Sequence, residues 1–562
     1  MRRAILLAAA AAALALPVAA WAHAALLRTV PAASLTVNTP PKTLSLVYSE
    51  PVEPKFALVL VSDANGTSQT AGSPTRSATN ADELDVPLRH LGEGWYLVFW
   101  RAISTDGHPV RGAFTFAVGP NAGPAPQFVI PPLSETAATP GLVITRWLVF
   151  LSMMTAIGLF VLRIAIARPL RAQPRATAAA FAVSSVVALI AIPFYVLYAT
   201  SEFARRPLTA VGDLVPLMRV SAFGRGFLDL WLVFALFVLA AGIALFLDRP
   251  ERSQRSLAEL AAIAGALLAG AAALLVPGAS GHAGQTSPRA LALLLDWLHL
   301  ASGSLWLGGL IGILVLWRSL PAVERIAGLA VCVPRFSNVA LGSVAVLLAS
   351  GIWASVLHLP TLSSLWETSY GKTIIIKALL LAGALVAGFL NLRRTTPALR
   401  NPEPSPGAAI LLRRLVTGEV LLLTAAVAAA AVLTSLAPPP KALAGLNASA
   451  HVGPGTVRET LQENGYTLDV GVAPNRAAVP NAFSVRLLRH DAPVRDARIT
   501  ARFTMLDMEM PAQEYVLRET SPGLYAHEAP ALVMVGRWGV AFEVEPPQGP
   551  PFTVAVVDKA AG

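Results

Sequence analysis

The chain has 562 residues, 55% of them hydrophobic and 14% charged, with a mean hydropathy of +0.60, whereas soluble proteins carry about 25% charged residues. The formal net charge of +10 comes mainly from arginines that separate apolar segments, which is typical of membrane loops and not of a nucleic-acid-binding face. The single cysteine, Cys332, excludes an intramolecular disulfide and thiolate metal clusters.

Residues 1–22 have the features of a secretory signal peptide. Arg2 and Arg3 form its charged region, residues 5–20 its apolar stretch, and Ala20-Trp21-Ala22 an A-x-A cleavage site. Cleavage there would make His23 the first residue of the mature protein. An uncleaved anchor is the alternative, although the apolar stretch is short for a spanning helix.

Residues 23–119 are predicted to form an all-β domain, an Ig-like or Greek-key sandwich. Short β-rich runs alternate there with turn residues such as Asn65-Gly66. The predicted strands include 43–48, 57–62, 94–102 and 112–118. Residues 120–140, rich in Pro, Ala and Gly, are predicted to be a linker.

Residues 141–436 are predicted to form a bundle of eight transmembrane helices, because apolar stretches near spanning length recur there. They cover about 142–166, 177–200, 226–247, 256–276, 290–317, 336–358, 373–391 and 410–436. Arginines are more frequent in the loops that lie inside if the N-terminal domain lies outside. We therefore expect a multi-pass protein of the bacterial inner membrane with both terminal domains on the periplasmic side.

The C-terminal part returns to β-rich sequence after a predicted linker at 437–464. Residues 465–562 are predicted to form a second, small β sandwich with strands near 466–472, 482–488, 497–504 and 539–544. The fold class is therefore that of a multi-domain membrane protein, with an all-β domain on either side of a transmembrane α bundle.

Three residues of the N-terminal domain are candidate metal ligands. A mature N-terminal His23 would offer an α-amine and an imidazole together, and Asp106 and His108 lie two residues apart, so that on extended backbone they share a face. Amine, imidazole and carboxylate donors suit tetragonal Cu(II) and are poor ligands for Cu(I). The alternative is that the Asp-Gly-His-Pro segment is a turn whose Asp bonds its own backbone.

The N-terminal domain also carries a family resemblance. Its start HAALL at 23–27, the YSEPV run at 48–52 and the DGHPVRG run at 106–112 resemble the CopC family of periplasmic copper-binding proteins. The resemblance covers essentially all of residues 23–119 and implies that His23, Asp106 and His108 bind Cu(II). Residues 23–119 contain no methionine, so the methionine-rich Cu(I) loop of some members is missing and Cu(II) alone is expected.

Ionisable residues within the predicted spans form a second candidate site. Asp296 and His299 lie three apart on one face of the fifth helix, roughly 9 to 14 Å from its outer end. His282 precedes this helix, His358 ends the sixth on the same side, and Lys377 lies at a similar depth on the seventh. The alternative is that Asp296 pairs with Lys377 only to hold helices together and that His358 is an interfacial residue.

Further polar and sulfur-containing residues of the bundle allow two interpretations each. Met153 and Met154, near the middle of the first helix, could offer thioether sulfur to Cu(I) or simply fill the core. A polar group in the inner half could continue a path or stabilise the bundle: Arg335, Asn338, Asn391 and Glu419.

The bundle resembles the CopD family of copper-resistance membrane proteins over roughly 141–436. The resemblance is carried by the segments 281–283 (GHA), 296–309 (DWLHLASGSLWLGG), 335–337 (RFS) and 370–372 (YGK). It implies movement of copper across the inner membrane, generally written as uptake. On this basis His282, Asp296 and His299 are predicted to line the membrane path.

The C-terminal domain contains a methionine cluster. Met505, Met508 and Met510 fall within six residues, and soft thioether sulfur suits Cu(I). Methionines that alternate on a strand could equally fill the core of the domain. The segment resembles the YtkA-like domain, a small β sandwich often attached to copper proteins.

The leading interpretation is a copper transport or resistance protein without enzymatic activity. Copper is the expected bound metal, and copper ions, the lipid bilayer and other periplasmic copper proteins are the expected partners, with no nucleic acid. One rival is a membrane haem redox protein, which needs two histidines that face each other inside the bundle. Another is a copper sink or assembly factor that does not transport. No triad, phosphate-binding glycine loop or ATP motif is present.

Overall fold

A computed structural model describes two compact units, one of helices and one of β strands. The described residues are 26–32, 35–48, 51–103, 109–122, 139–170, 175–204, 206–249, 251–252, 254–280, 283, 288–359, 361–400, 406–436, 448–477, 479–506, 512–529, 531–533 and 536–561.

The N-terminal domain is a sandwich of two four-stranded sheets, with strand orders β1-β3-β6-β5 and β2-β8-β7-β4. Alternate residues of β3 and β6, such as Leu46 and Val86, point into the core, as expected for sheets with one buried face. The expectation of an all-β domain is confirmed. The strands are β1 Leu26–Val30, β2 Thr36–Val37, β3 Thr43–Tyr48, β4 Leu58–Asp63, β5 Thr75–Arg76, β6 Glu83–Pro87, β7 Gly94–Ile103 and β8 Pro109–Val118.

Three strand ends meet at one end of this sandwich. Leu26, at the start of β1, pairs with Tyr48 at the end of β3, whose ring packs edge-on against Trp100 at a centroid distance of 5.6 Å. The chain that leaves β3 then bonds to the end of β7, where the Glu53 amide donates to the Ile103 carbonyl over 3.0 Å. The start of β1 therefore lies at the same end as the β7–β8 hairpin.

The helical unit contains, within the described residues, eight helices that are long and apolar enough to cross a membrane, as predicted. The sixth begins earlier than its predicted start near 336, because Pro334 and Arg335 interrupt the apolar run that precedes them. The helices are α1 Pro140–Ile166, α2 Arg175–Ala204, α3 Phe223–Leu247, α4 Leu257–Ala279, α5 Arg289–Ser319, α6 Glu324–His358, α7 Ser369–Leu399 and α8 Gly407–Leu433.

Helix α5 occupies the centre of the bundle. It packs on α1, α4, α6 and α8, and it approaches α1 most closely where Gly308 faces Gly158, because neither residue has a side chain to separate the backbones. Helix α6 packs on α5 and α7 packs on α8, whereas α6 and α7 make few contacts with each other. A side chain that links α7 to α5 must therefore be long enough to span the space between the two helices.

We call the end of the bundle at which α1 begins the proximal end, and the opposite end the distal end. At the distal end, buried carboxylates of the first four helices pair with arginines. Asp248 lies between Arg163 and Arg168 at 3.9 and 3.8 Å, and Glu259 pairs with Arg255 at 3.0 Å. The pairs of Asp248 link the distal ends of α1 and α3, and the Arg255–Glu259 pair lies at the distal start of α4.

The C-terminal domain consists of ten strands in one sheet with the order β10-β11-β12-β16-β15-β14-β17-β18-β9, and β13 pairs with β12. The sheet folds over itself, since Phe483 of β12 packs on Phe503 of β14 with a centroid distance of 4.5 Å. The strands are β9 Ala448–Val452, β10 Val457–Glu463, β11 Tyr466–Ala473, β12 Asn481–Arg489, β13 Ala492–Pro493, β14 Arg498–Met505, β15 Gln513–Ser521, β16 Leu524–Ala529, β17 Gly536–Glu545 and β18 Phe552–Ala560.

Candidate functional site

The proximal half of the bundle contains a polar cluster built on α5. Asp296 and His299 lie on one face of this helix, as predicted, and each is seated against a glycine of a neighbouring helix. A Cβ atom at Gly278 of α4 would lie 2.5 Å from Asp296 Oδ2, and one at Gly351 of α6 would lie 3.2 Å from His299 Cε1. The two glycines therefore provide the space that these side chains occupy.

The hydrogen bonds of His299 define which ring nitrogen is free to accept. Its Nδ1 lies 3.1 Å from Ser350 Oγ on α6, and its Nε2 lies 3.3 Å from Lys377 Nζ on α7. A lysine ammonium can only donate, so Nε2 accepts and carries no proton. The proton of a neutral imidazole is then on Nδ1, where it is directed toward α6. This is the tautomer in which a histidine can bind a metal through Nε2.

Lys377 connects α7 to this cluster. Its ammonium contacts His299, and the charge of Asp296 also acts on it, although within the described residues Asp296 and Lys377 form no direct ion pair. The expected alternative, a simple Asp296–Lys377 pair, is therefore only part of the arrangement. One carboxylate and one ammonium leave the cluster without net charge, which lowers the cost of keeping ionisable groups in a membrane.

A methionine of α1 contacts α5 one helical turn further from the proximal end than His299. The methyl end of Met154 on α1 lies 2.8 Å from where a Cβ atom at Gly303 would be, and Gly303 follows His299 by four residues. Met154 is buried at 6% exposure and Met153 is fully buried. The thioether of Met154 is thus next in line on the face of α5 that carries His299.

A second polar cluster lies in the distal half. Glu419 of α8, at 2% exposure, accepts a hydrogen bond from Asn391 Nδ2 at 2.5 Å, and the Trp306 side chain of α5 lies near it. Thr395 Oγ1 donates to the Asn391 side chain over 3.1 Å. The structure thus brings together two of the four predicted inner residues, Asn391 and Glu419, and ties them to α5.

Several predicted site residues fall outside the described residues, and the predictions for them stay predictions: His23, Asp106, His108, His282, Met508 and Met510. Met505 is described, and it is buried in the core of the C-terminal domain at 3% exposure. In the described part of the chain, no three His, Cys, Asp or Glu side chains come together as a metal-binding group.

Two contributors to the clusters were missed from the sequence. Ser350 is a small polar residue in an apolar helix, and it lies two turns before His358 on α6. Trp306 belongs to the segment at 296–309 that was singled out, but its contact with Glu419 depends on how α5 and α8 are rotated. A polar group within a spanning helix was the available signal in both helices, and each helix contains several such groups.

Comparison with family models matches three separate parts of the chain. Residues 26–119 match the CopC domain, residues 330–433 match the Copper resistance protein D family, and residues 460–543 match the YtkA-like family. The second match covers α6 to α8, a smaller part of the bundle than the predicted resemblance.

Relatives resemble the whole chain or its first domain. Copper transport protein CutJ of Bacillus subtilis (strain 168) is 24% identical over 550 residues, which are 93% of this chain and 93% of that protein. Protein YobA of Escherichia coli (strain K12) is 34% identical over 99 residues, 17% of this chain and 80% of its own length. Copper resistance protein C of Escherichia coli is 36% identical over 106 residues, 18% of this chain and 83% of its own length.

Among solved structures, the crystal structure of CopC from Methylosinus trichosporium OB3b is 28% identical and covers 19% of this chain and 99% of its own, with a TM-score of 0.17. The three family matches lie in the order found in the fold: a β domain, a helical bundle and a second β domain. By its first domain the chain therefore belongs to the CopC family, and in this multi-pass membrane protein that domain is followed by a match to Copper resistance protein D and by a YtkA-like domain after the last helix.

Proposed function

We propose that this protein transports copper across the inner membrane, in the direction of uptake, and that the ion passes His299 by replacing the ammonium of Lys377. The observation that carries the proposal is the contact of 3.3 Å between Lys377 Nζ and the unprotonated Nε2 of His299. Relatives named for copper transport and copper resistance support copper as the cargo.

The exchange follows from the geometry of the ring nitrogen. A first-row metal binds an imidazole nitrogen at about 2 Å, and Nε2 has one lone pair, which already accepts from Lys377. Copper and the lysine ammonium are therefore alternative occupants of the same lone pair. Because Lys377 is flexible and α6 and α7 pack loosely, its side chain can withdraw toward α7 when copper arrives.

The carboxylate of Asp296 serves both occupants. It acts on the lysine charge before exchange, and it can compensate the charge of copper afterwards. A cation inside a membrane without such compensation is costly, about 2.5–3.5 kcal/mol even by the lower scales. A cation, either the lysine ammonium or copper, therefore lies beside the Asp296 carboxylate at every stage. This carboxylate lowers the free energy needed to bring the ion into the membrane.

The polar groups along α5 suggest the order of the path. From the proximal end Asp296 and His299 come first, Met154 lies one turn further, and the Glu419–Asn391 pair lies in the distal half. With the N-terminal domain on the periplasmic side, this order runs inward. The orientation with both terminal domains outside is part of the proposal.

The N-terminal domain is proposed to bind Cu(II) through the amine and imidazole of His23 together with Asp106 and His108. The described neighbours of these residues support this, since Leu26 follows His23 by three residues and Ile103 and Pro109 flank the hairpin. Both lie at the same end of the sandwich. The domain would collect copper at the outer surface and supply the bundle.

Copper flux into sealed membrane vesicles tests the transport proposal. His299→Ala is expected to reduce the initial rate at least tenfold, because the ligand for the ion is lost, whereas His358→Ala removes a histidine from the proximal end of α6 and serves as the control. Right-side-out and inside-out vesicles distinguish uptake from export. Equal flux in the wild type and His299→Ala would refute the mechanism.

The N-terminal site is tested on the full chain with an authentic His23 terminus and with one extra residue before it. The extra residue moves the free amine away from the imidazole, so Cu(II) affinity is expected to fall at least tenfold. A variant with an extra residue inserted in the linker 120–140 provides a control for added length. Unchanged Cu(II) affinity would contradict the amine-chelate site.

Two rivals have separate tests. Among the described residues His299 faces Lys377 and Ser350 and no second histidine, which argues against a pair of axial haem ligands from the described helices. A reduced-minus-oxidised spectrum with a Soret shift would support haem. A copper sink or assembly factor would bind copper but produce no flux in the vesicles.

A further inference from the structure

The distal end of the bundle contains an open, strongly basic cavity that the copper path does not use. Its volume is about 770 Å³, within the range of about 300–1,000 Å³ typical of small-ligand sites. It lies between the last turns of α5, the first turn of α6 and the first turns of α8. Its lining residues are Leu314, Trp317, Arg318, Arg325, Arg413, Arg414 and Thr417.

Four of these seven lining residues are arginines, and none is a carboxylate. In the described part of the chain, none of the four forms a salt bridge. The contrast with the other half of the same end is clear, because Arg163, Arg168 and Arg255 all pair with buried carboxylates. The arginines of the cavity thus lack the compensating charge that Arg163, Arg168 and Arg255 have.

The cavity holds two of its guanidinium groups in place. Trp317 packs against both Arg325 and Arg413, whose central carbons lie 5.3 and 5.7 Å from a centroid of the indole. Arg325 also donates to the Leu320 carbonyl over 3.2 Å, whereas its Nε is buried and has no hydrogen-bond partner among the described residues. A buried, unpaired donor is costly unless a ligand accepts from it.

We propose that this cavity binds a phosphate group. Guanidinium groups donate in a planar fork that matches the oxygens of a phosphate, and several arginines can bind one or two phosphates without a counter-charge from the protein. Arginine clusters between helices at the end of a membrane bundle bind anionic lipid headgroups, and Leu314 and Trp317 offer an apolar wall beside the charges. The phosphate belongs to an anionic phospholipid or to a soluble phosphate.

The test uses the purified full chain and two probes. Native mass spectrometry measures retention of phosphatidylglycerol against phosphatidylcholine, and thermal unfolding measures stabilisation by inorganic phosphate against chloride at equal ionic strength. The test variant is R318Q/R414Q, two exposed arginines of the cavity. The control is R249Q/R252Q, two exposed arginines at the same end but outside the cavity.

A lipid ligand predicts selective retention of phosphatidylglycerol that falls at least fivefold in R318Q/R414Q and not in R249Q/R252Q. A soluble ligand predicts a saturable rise in Tm with inorganic phosphate that the same variant loses. The proposal is overturned if neither probe binds the wild type selectively, or if both variants lose binding equally. The result does not depend on copper, so it is separate from the transport proposal.

Discussion

Replacing Lys377 with leucine, which has no metal-binding atom, should increase the copper affinity of the bundle. A metal at about 2 Å from His299 Nε2 along the same lone pair would lie about 1.3 Å from the present position of Nζ, which sits 3.3 Å from Nε2. Lysine must therefore withdraw, and it then repels the ion. At about 6 Å and an effective dielectric constant of about 20, this repulsion is about 3 kcal/mol. Its removal corresponds to about 100-fold higher affinity.

Copper affinity is measured by competition with a chelator in a background in which Asp106→Ala and His108→Ala silence the N-terminal domain. Lys372→Leu is the matched control, because Lys372 is an exposed lysine in the first turns of the same helix. Maximum flux should fall in Lys377→Leu, since no cation returns to displace the bound ion. Unchanged or lower affinity in Lys377→Leu would refute the exchange.

Two further substitutions test the surroundings of the path. Gly278→Ala should slow copper flux about tenfold or more, because its Cβ would lie 2.5 Å from Asp296 Oδ2 and must displace the carboxylate. Gly265→Ala on the same helix is the control, since its Cβ would have its nearest neighbour at 4.0 Å and should leave the flux unchanged. Equal flux in the two variants would contradict this role of Asp296. Glu419→Leu should lower the unfolding free energy by about 1–3 kcal/mol, because it leaves the buried Asn391 amide without its acceptor. Thermal melting should show a smaller loss of stability for Glu419→Gln, whose side-chain oxygen can still accept.

The architecture was predictable from the sequence because its signals are local. Apolar stretches near 20 residues predicted all eight helices, and alternating runs predicted strands such as β3, found at Thr43–Tyr48 as expected. The predicted start of α6 is about residue 336, but the helix begins at Glu324, since Pro334 and Arg335 interrupt the apolar run that precedes them. The apolar part of each helix is therefore predictable from the sequence, whereas a helix end that lies beyond an interruption of the apolar run is not.

The candidate site was only partly predictable because its contacts run between helices. Asp296 and His299 stood out as ionisable residues in an apolar helix, and their spacing placed them on one face. The sequence could not show that Lys377 contacts the imidazole and Ser350 its other nitrogen. These contacts depend on the rotation of α6 and α7, and helices that are apolar on most sides carry little information about rotation.

Anomalous scattering at the copper edge from crystals of the copper-loaded chain tests the exchange at His299 most directly. If copper replaces Lys377, we expect a copper peak about 2 Å from His299 Nε2, with the Lys377 ammonium withdrawn from its contact of 3.3 Å. Copper bound elsewhere in the bundle, with Lys377 still in contact with His299, would contradict it.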